Sequence, residues 1–204
     1  MEFWNSQLTQ KSWVVLQELR KKYDFILIGG WAVYLLAKQQ KSKDIDIIVD
    51  INELQRLKNE NLSKNENLKK YEIKTGDIDI DIYVFYFSKL PILPENLEKY
   101  TLMTQGFKVV IPEALIVLKQ AAEIERGNSV KGEKDRLDII SLLFFSNIDF
   151  NKYISILNEN SLTDYIERLT FILRNFKDYN FLGLSPREFK IKKEELINKI
   201  RKAK

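Results

Sequence analysis

Phe25-Ile26-Leu27-Ile28-Gly29-Gly30-Trp31-Ala32-Val33-Tyr34-Leu35-Leu36-Ala37, followed after a polar stretch by Asp44-Ile45-Asp46-Ile47-Ile48-Val49-Asp50, decides how this chain folds. Residues 25–28 have the pattern of a short buried strand, which stops at Gly29-Gly30 and passes at once into a helix that is apolar nearly all round. The second run alternates, so a strand there puts Asp44 and Asp46 on one face and Ile45, Ile47 and Val49 on the other. Two glycines allow a sharp turn and close approach of a ligand to the backbone, and the start of the next helix offers N–H groups and a positive dipole end to an anion. The same dipeptide also serves as a plain tight connection.

A strand spaces Asp44 and Asp46 about 6–7 Å apart on one side, a distance that divalent cations bridge. A solvated face is the alternative, but Asp is depleted in strands and such a face prefers other polar residues. The pattern then recurs in Asp77-Ile78-Asp79-Ile80-Asp81-Ile82-Tyr83-Val84-Phe85, which aligns Asp77, Asp79 and Asp81. Neighbouring strands with such faces aligned would crowd like charges unless cations neutralise them. Together these features predict phosphate at the glycine turn and Mg²⁺ between the Asp-bearing strands, the layout for two-metal phosphoryl or nucleotidyl transfer.

Composition narrows the chemistry further. The 204 residues include no histidine and no cysteine. That excludes Ser-His-Asp and Cys-His nucleophiles, Cys/His zinc sites, disulfides and histidine proton shuttles. A metal held by protein carboxylates alone is a hard cation such as Mg²⁺ or Mn²⁺. The net charge is +4, and residues 187–204, with eight basic and three acidic side chains, carry more than all of it. A basic terminal helix suits nucleic acid, although a charge run more often only solvates a surface. No apolar run reaches membrane-spanning length, and Met1-Glu2-Phe3-Trp4-Asn5 lacks a signal peptide's basic start, so a cytoplasmic location is expected.

Around this centre the periodicity predicts a helix over 6–23, capped by Ser6, with Trp13, Val14, Leu16, Leu19 and Tyr23 as its apolar stripe. A short helix over 51–57, a polar connection over 58–70 and a strand over 107–111 follow. Pro112 opens a region that reads as helical almost throughout: about 113–126, 134–146, 151–159, 162–176 and 186–202. The division expected is an α/β part, 1–111, and a helical part, 112–204.

Gly29-Gly30, thirteen intervening residues, Asp44-Ile45-Asp46 and a later strand Asp resemble the nucleotidyltransferase superfamily that includes DNA polymerase β. Pro112-Glu113-Ala114-Leu115 leading to Lys119, Arg126 and Lys134-Asp135-Arg136-Leu137-Asp138 is similar to the helical region of minimal prokaryotic members, the AbiEii/toxin type. The likeness covers about residues 20–145; residues 150–204 match no known pattern. It implies an α+β fold, a nucleotidyltransferase-like mixed β-sheet flanked by helices and followed by a C-terminal helical bundle.

The resemblance further implies that Gly29 and Gly30 contact the triphosphate of an NTP such as ATP, with Ser42 adding a hydroxyl. Asp44 and Asp46 hold the metals, Mg²⁺ or Mn²⁺. Asp81 is the third carboxylate, a metal ligand that draws the proton from the acceptor hydroxyl, and Asp79 is its rival on the same face. Lys119 interrupts an apolar helix face, so it either meets the triphosphate or snorkels to water. Lys134, Asp135 and Asp138 read as a structural charge network joining helix to sheet. The expected activity is NMP transfer, with pyrophosphate release, to a hydroxyl on tRNA or other RNA, a protein or a small molecule. The alternative is a non-catalytic nucleotide- or partner-binding member, for example one component of a toxin–antitoxin pair with a cognate antitoxin.

Overall fold

Residues 6–58 and 60–203 are described by a computed structural model; residues 1–5, on which the signal-peptide reading rests, Asn59 and Lys204 lie outside it. The chain divides into two compact units between Ile111 and Pro112.

The first unit is built on a seven-stranded mixed sheet. Its elements run α1 (Ser6–Lys22), β1 (Ile26–Ile28), α2 (Gly29–Ala37), β2 (Ile45–Val49), α3 (Ile51–Leu57), β3 (Ser63–Asn65), β4 (Lys70–Thr75) and β5 (Ile78–Val84). A short helix, α4 (Pro94–Leu97), and a 3₁₀ turn (Glu98–Tyr100) lead to β6 (Thr101–Thr104) and β7 (Phe107–Val110). The strand order is β3-β4-β5-β2-β1-β7-β6, with β1/β7 and β2/β5 parallel and the other pairs antiparallel. Alternation on β5 is complete: Ile78, Ile80, Ile82 and Val84 are buried, while Asp79, Asp81 and Tyr83 sit half-buried on the other face.

Helix α1 buries Leu16 and Leu19 as expected, but Val14 is exposed and Ser12 is buried in its place. Ser12 Oγ accepts a 2.8 Å hydrogen bond from Trp31 Nε1, which lets the indole sit in the core without an unsatisfied donor. Trp13 packs on Trp31 and Phe107 with centroids 5.0 and 5.7 Å apart. Ser6 lies within α1 rather than capping it, as the first of its described residues. The stretch expected to be a polar connection, 58–70, contains β3 and the first residue of β4.

The second unit is helical: α5 (Pro112–Arg126), α6 (Val130–Phe145), α7 (Phe150–Glu159), α8 (Tyr165–Asn175) and α9 (Pro186–Ala203). Helix α6 begins four residues before the apolar pattern does, because Ser129 Oγ caps the Gly132 N–H. Ser185 and Glu188 form a reciprocal capping box at α9. Lys193 of α9 donates to the carbonyls of Arg174 and Phe176, both at 2.8 Å, closing the C-terminal end of α8.

Most of the charge buried in this unit is paired, and buried Glu113 accepts from the Asp149 N–H at 2.8 Å. Lys119 of α5 reaches Asp135 at 2.9 Å and Asp138 at 2.7 Å, Arg126 pairs with Asp135, and Lys134 pairs with Asp138. Burial alone would raise the Asp138 pKa, but the charges and hydrogen bonds of Lys119 and Lys134 outweigh it and hold the pKa below the ordinary carboxylate value. Fully buried Glu123 receives both Arg136 and Arg168, at 3.0 and 2.6 Å. Gln120 Nε2 donates to the Tyr165 carbonyl, and Tyr153 donates its hydroxyl to Gln120 Oε1. The network that sequence placed between helix and sheet thus joins helix to helix.

Candidate active site

The glycine turn and the first acidic strand meet directly. Gly29 opens α2 with φ +66°, a left-handed conformation that favours glycine, and a Cβ built on it would overlap Asp46 Oδ2 and lie 2.5 Å from Asp46 Cγ. Ile28, the residue before the turn, is the strand partner of Asp46. The backbone thus approaches a carboxylate here because no side chain stands between them. Ile28 stands at the N-cap of this nine-residue helix and has no side-chain acceptor of its own.

On its other side Asp46 sits directly across from Asp81 of the parallel strand β5. That register distinguishes the three acids of the second run. Asp79 lies opposite Lys74 of β4, and Asp77 is exposed in the turn after Gly76. Asp44 precedes β2 rather than forming part of it, half-buried at the strand's entrance, and Ser42 is buried in the connection before it. Gly30 is buried in the first turn of α2.

Strand β4 brings two residues that the motif reading did not include. Glu72 is the cross-strand partner of Asp81, so Glu72, Asp81 and Asp46 form a row of carboxylates across β4, β5 and β2. Lys70 answers this row: its ammonium lies 2.6 Å from Asp81 and 3.2 Å from Glu72, with only 11% of its side chain exposed. Burial and the Asp46 charge raise the Asp81 pKa against the opposing pull of Lys70. Burial works to lower that of Lys70, but Asp81 and Glu72 more than offset it and hold the ammonium charged. The signal for Lys70 was present in the alternation Lys70-Tyr71-Glu72-Ile73-Lys74, with Tyr71 and Ile73 on the opposite face.

Among the described residues no group of three or more acidic side chains converges at metal-ligand spacing. The oxygen donors of Asp46 and Asp81, side by side next to a glycine whose Cβ would strike one of them, suit a hard cation that takes its remaining ligands from water and phosphate. Lys119, a phosphate candidate by sequence, has its ammonium in the ion pairs with Asp135 and Asp138.

No protein-family profile matches the chain, and no curated protein does. Solved structures do. JHP933 from Helicobacter pylori superimposes with a TM-score of 0.51 at 17% identity, over 97% of this chain and 95% of its own. A protein from the same species provisionally assigned as a nucleotidyltransferase gives 0.51 at 16%, over 98% and 99%. An antigenic nucleotidyltransferase-like protein from Paracoccidioides brasiliensis gives 0.46 at 17%, over 87% and 97%. The fold is therefore the nucleotidyltransferase-like one, a mixed sheet flanked by helices. Among the described residues no helix is long and apolar enough to cross a membrane.

Proposed function

We propose that the protein is a Mg²⁺-dependent nucleotidyltransferase that moves an NMP from an NTP to an acceptor hydroxyl and releases pyrophosphate. The observation that carries this reading is the position of Asp46, between the Gly29 turn and Asp81. The turn and the start of α2 receive the phosphates through backbone N–H groups. Asp46 and Asp81, with Asp44 at the strand entrance, hold the cations. A Mg²⁺ held by these carboxylates would supply charge to offset the phosphates during transfer. Asp81 accepts the acceptor's proton. Ser42 contributes a hydroxyl to the phosphate side, and Asp79 stands as the reserve carboxylate.

Incubating the protein with each α-phosphate-labelled NTP, Mg²⁺ and total cell extract tests the reading. Label passing to RNA, a protein or a small molecule supports it and identifies the acceptor, and no transfer from any NTP contradicts it. The toxin-type resemblance adds a cognate antitoxin as the expected partner, to be sought by co-purification.

The Lys70–Asp81 pair favours a second reading, a nucleotide-binding member without turnover, because a lysine already neutralises the third carboxylate. Mg²⁺-dependent NTP binding in calorimetry without pyrophosphate release would favour it.

A further inference from the structure

Across β4, β5 and β2, the cross-strand partners Glu72, Asp81 and Asp46 place three carboxylates in one row. Like charges directly opposite one another in a sheet repel, so the row needs a cation to stand. Lys70 supplies it from two residues before Glu72, bonded to both Glu72 and Asp81 and largely shielded from water. Glu72 is itself held in place by Asn65 Nδ2 at 2.9 Å, from the neighbouring strand β3. The lysine therefore has two docking carboxylates, of which only Asp81 borders Asp46.

We infer that Lys70 is a resident counter-ion that surrenders Asp81 to an incoming divalent cation and falls back on Glu72, so that Lys70 and Glu72 together set the metal affinity of the site. This rests on the reading of Asp46 and Asp81 as metal ligands. Neither Lys70 nor Glu72 is a ligand in this scheme: they are positioning residues. Lys70 competes with the metal for Asp81, whereas Glu72 favours the metal by giving the displaced ammonium a partner. Removing one should therefore act in the opposite direction to removing the other, which a general loss of local structure would not do.

The test is direct titration with Mn²⁺ alone, followed by its electron paramagnetic resonance signal, on the full chain. Lys70→Gln should bind Mn²⁺ about tenfold more tightly than wild type and Glu72→Gln several-fold more weakly, in the range typical of coupled sites, while Lys70→Arg should stay near wild type. Lys70→Gln should also melt lower than wild type without metal and recover with Mn²⁺. If wild type binds Mn²⁺ and Lys70→Gln binds it no more tightly, the counter-ion role is overturned and the metal reading stands. If neither takes up Mn²⁺, the metal reading falls and this inference with it. Should Lys70→Gln not fold without metal, refolding that succeeds only with Mn²⁺ supports the inference, and an unchanged Mn²⁺ affinity in Glu72→Gln overturns it.

Discussion

Gly29→Ala isolates the contact on which the site is built. Two costs arise at this position. An alanine held at φ +66° carries the left-handed penalty, about 1–2 kcal/mol. Its Cβ would also overlap Asp46 Oδ2 and lie 2.5 and 2.8 Å from Asp46 Cγ and Cβ, so a rotation of the carboxylate alone does not clear it. Overpacking of this kind adds about 1–3 kcal/mol, for a total of about 3 kcal/mol and a fall in Tm of about 6–12 °C in a chain of this size. Gly76 is the control: its φ is +60° and a Cβ there meets nothing within 4 Å, so Gly76→Ala should cost only the first part. The three tryptophans, Trp4, Trp13 and Trp31, all precede Ile111, so fluorescence-monitored urea unfolding reports on the sheet unit. Asp46→Ala, which removes Oδ2 and Cγ, should shrink the Gly29→Ala penalty by about 1 kcal/mol in a double-mutant cycle. Equal costs for Gly29→Ala and Gly76→Ala, or no coupling to Asp46, would refute the contact.

Other expectations follow from the packing. Ser12→Ala strands the Trp31 indole N–H and should cost about 1–3 kcal/mol, visible as a shift in the tryptophan emission midpoint. Glu123→Ala leaves Arg136 and Arg168 facing a hole where their partner was; because both arginines are partly exposed, about 2–4 kcal/mol is expected, read by far-UV circular dichroism. The lowered pKa of Asp138 means that its stabilisation is present above the ordinary carboxylate value and is lost as pH falls through its native value. The stability gap between wild type and Asp138→Asn should therefore be widest near neutrality and close in strong acid. A gap independent of pH would count against the ion network as its source.

The fold was legible where one face of an element is apolar and the other is not. Phe25–Ala37 and the two acidic runs announce β1, α2, β2 and β5 because Ile45, Ile47, Ile80 and Ile82 must be buried whatever surrounds them. Strand β3 gave no such signal: Ser63 and Lys64 are exposed at the sheet edge, and only its pairing with β4 makes it a strand. Strand β6, with Met103 68% exposed, is the same case at the opposite edge. For the site, local alternation gathers the Asp-bearing faces, but the pairing of Asp46 with Asp81 rather than Asp79 is a register, set by how β2 and β5 dock. Alternation places Lys70 and Glu72 on one face, but their chemistry exists only once β4 lies beside β5. Lys119 shows the converse: its need for an anion was readable, but its partners, Asp135 and Asp138, lie a helix away.

If the protein carries out metal-dependent NMP transfer as proposed, Asp46 and Asp81 are both required for it. The most direct measurement compares wild type, Asp46→Asn and Asp81→Asn for transfer of α-phosphate label from an NTP in the presence of Mg²⁺ and the accepting extract fraction, with each variant's fold checked by circular dichroism. The account predicts Mg²⁺-dependent label transfer by wild type and its loss, by about a hundredfold or more, in both folded variants. Undiminished transfer by folded Asp46→Asn would contradict it.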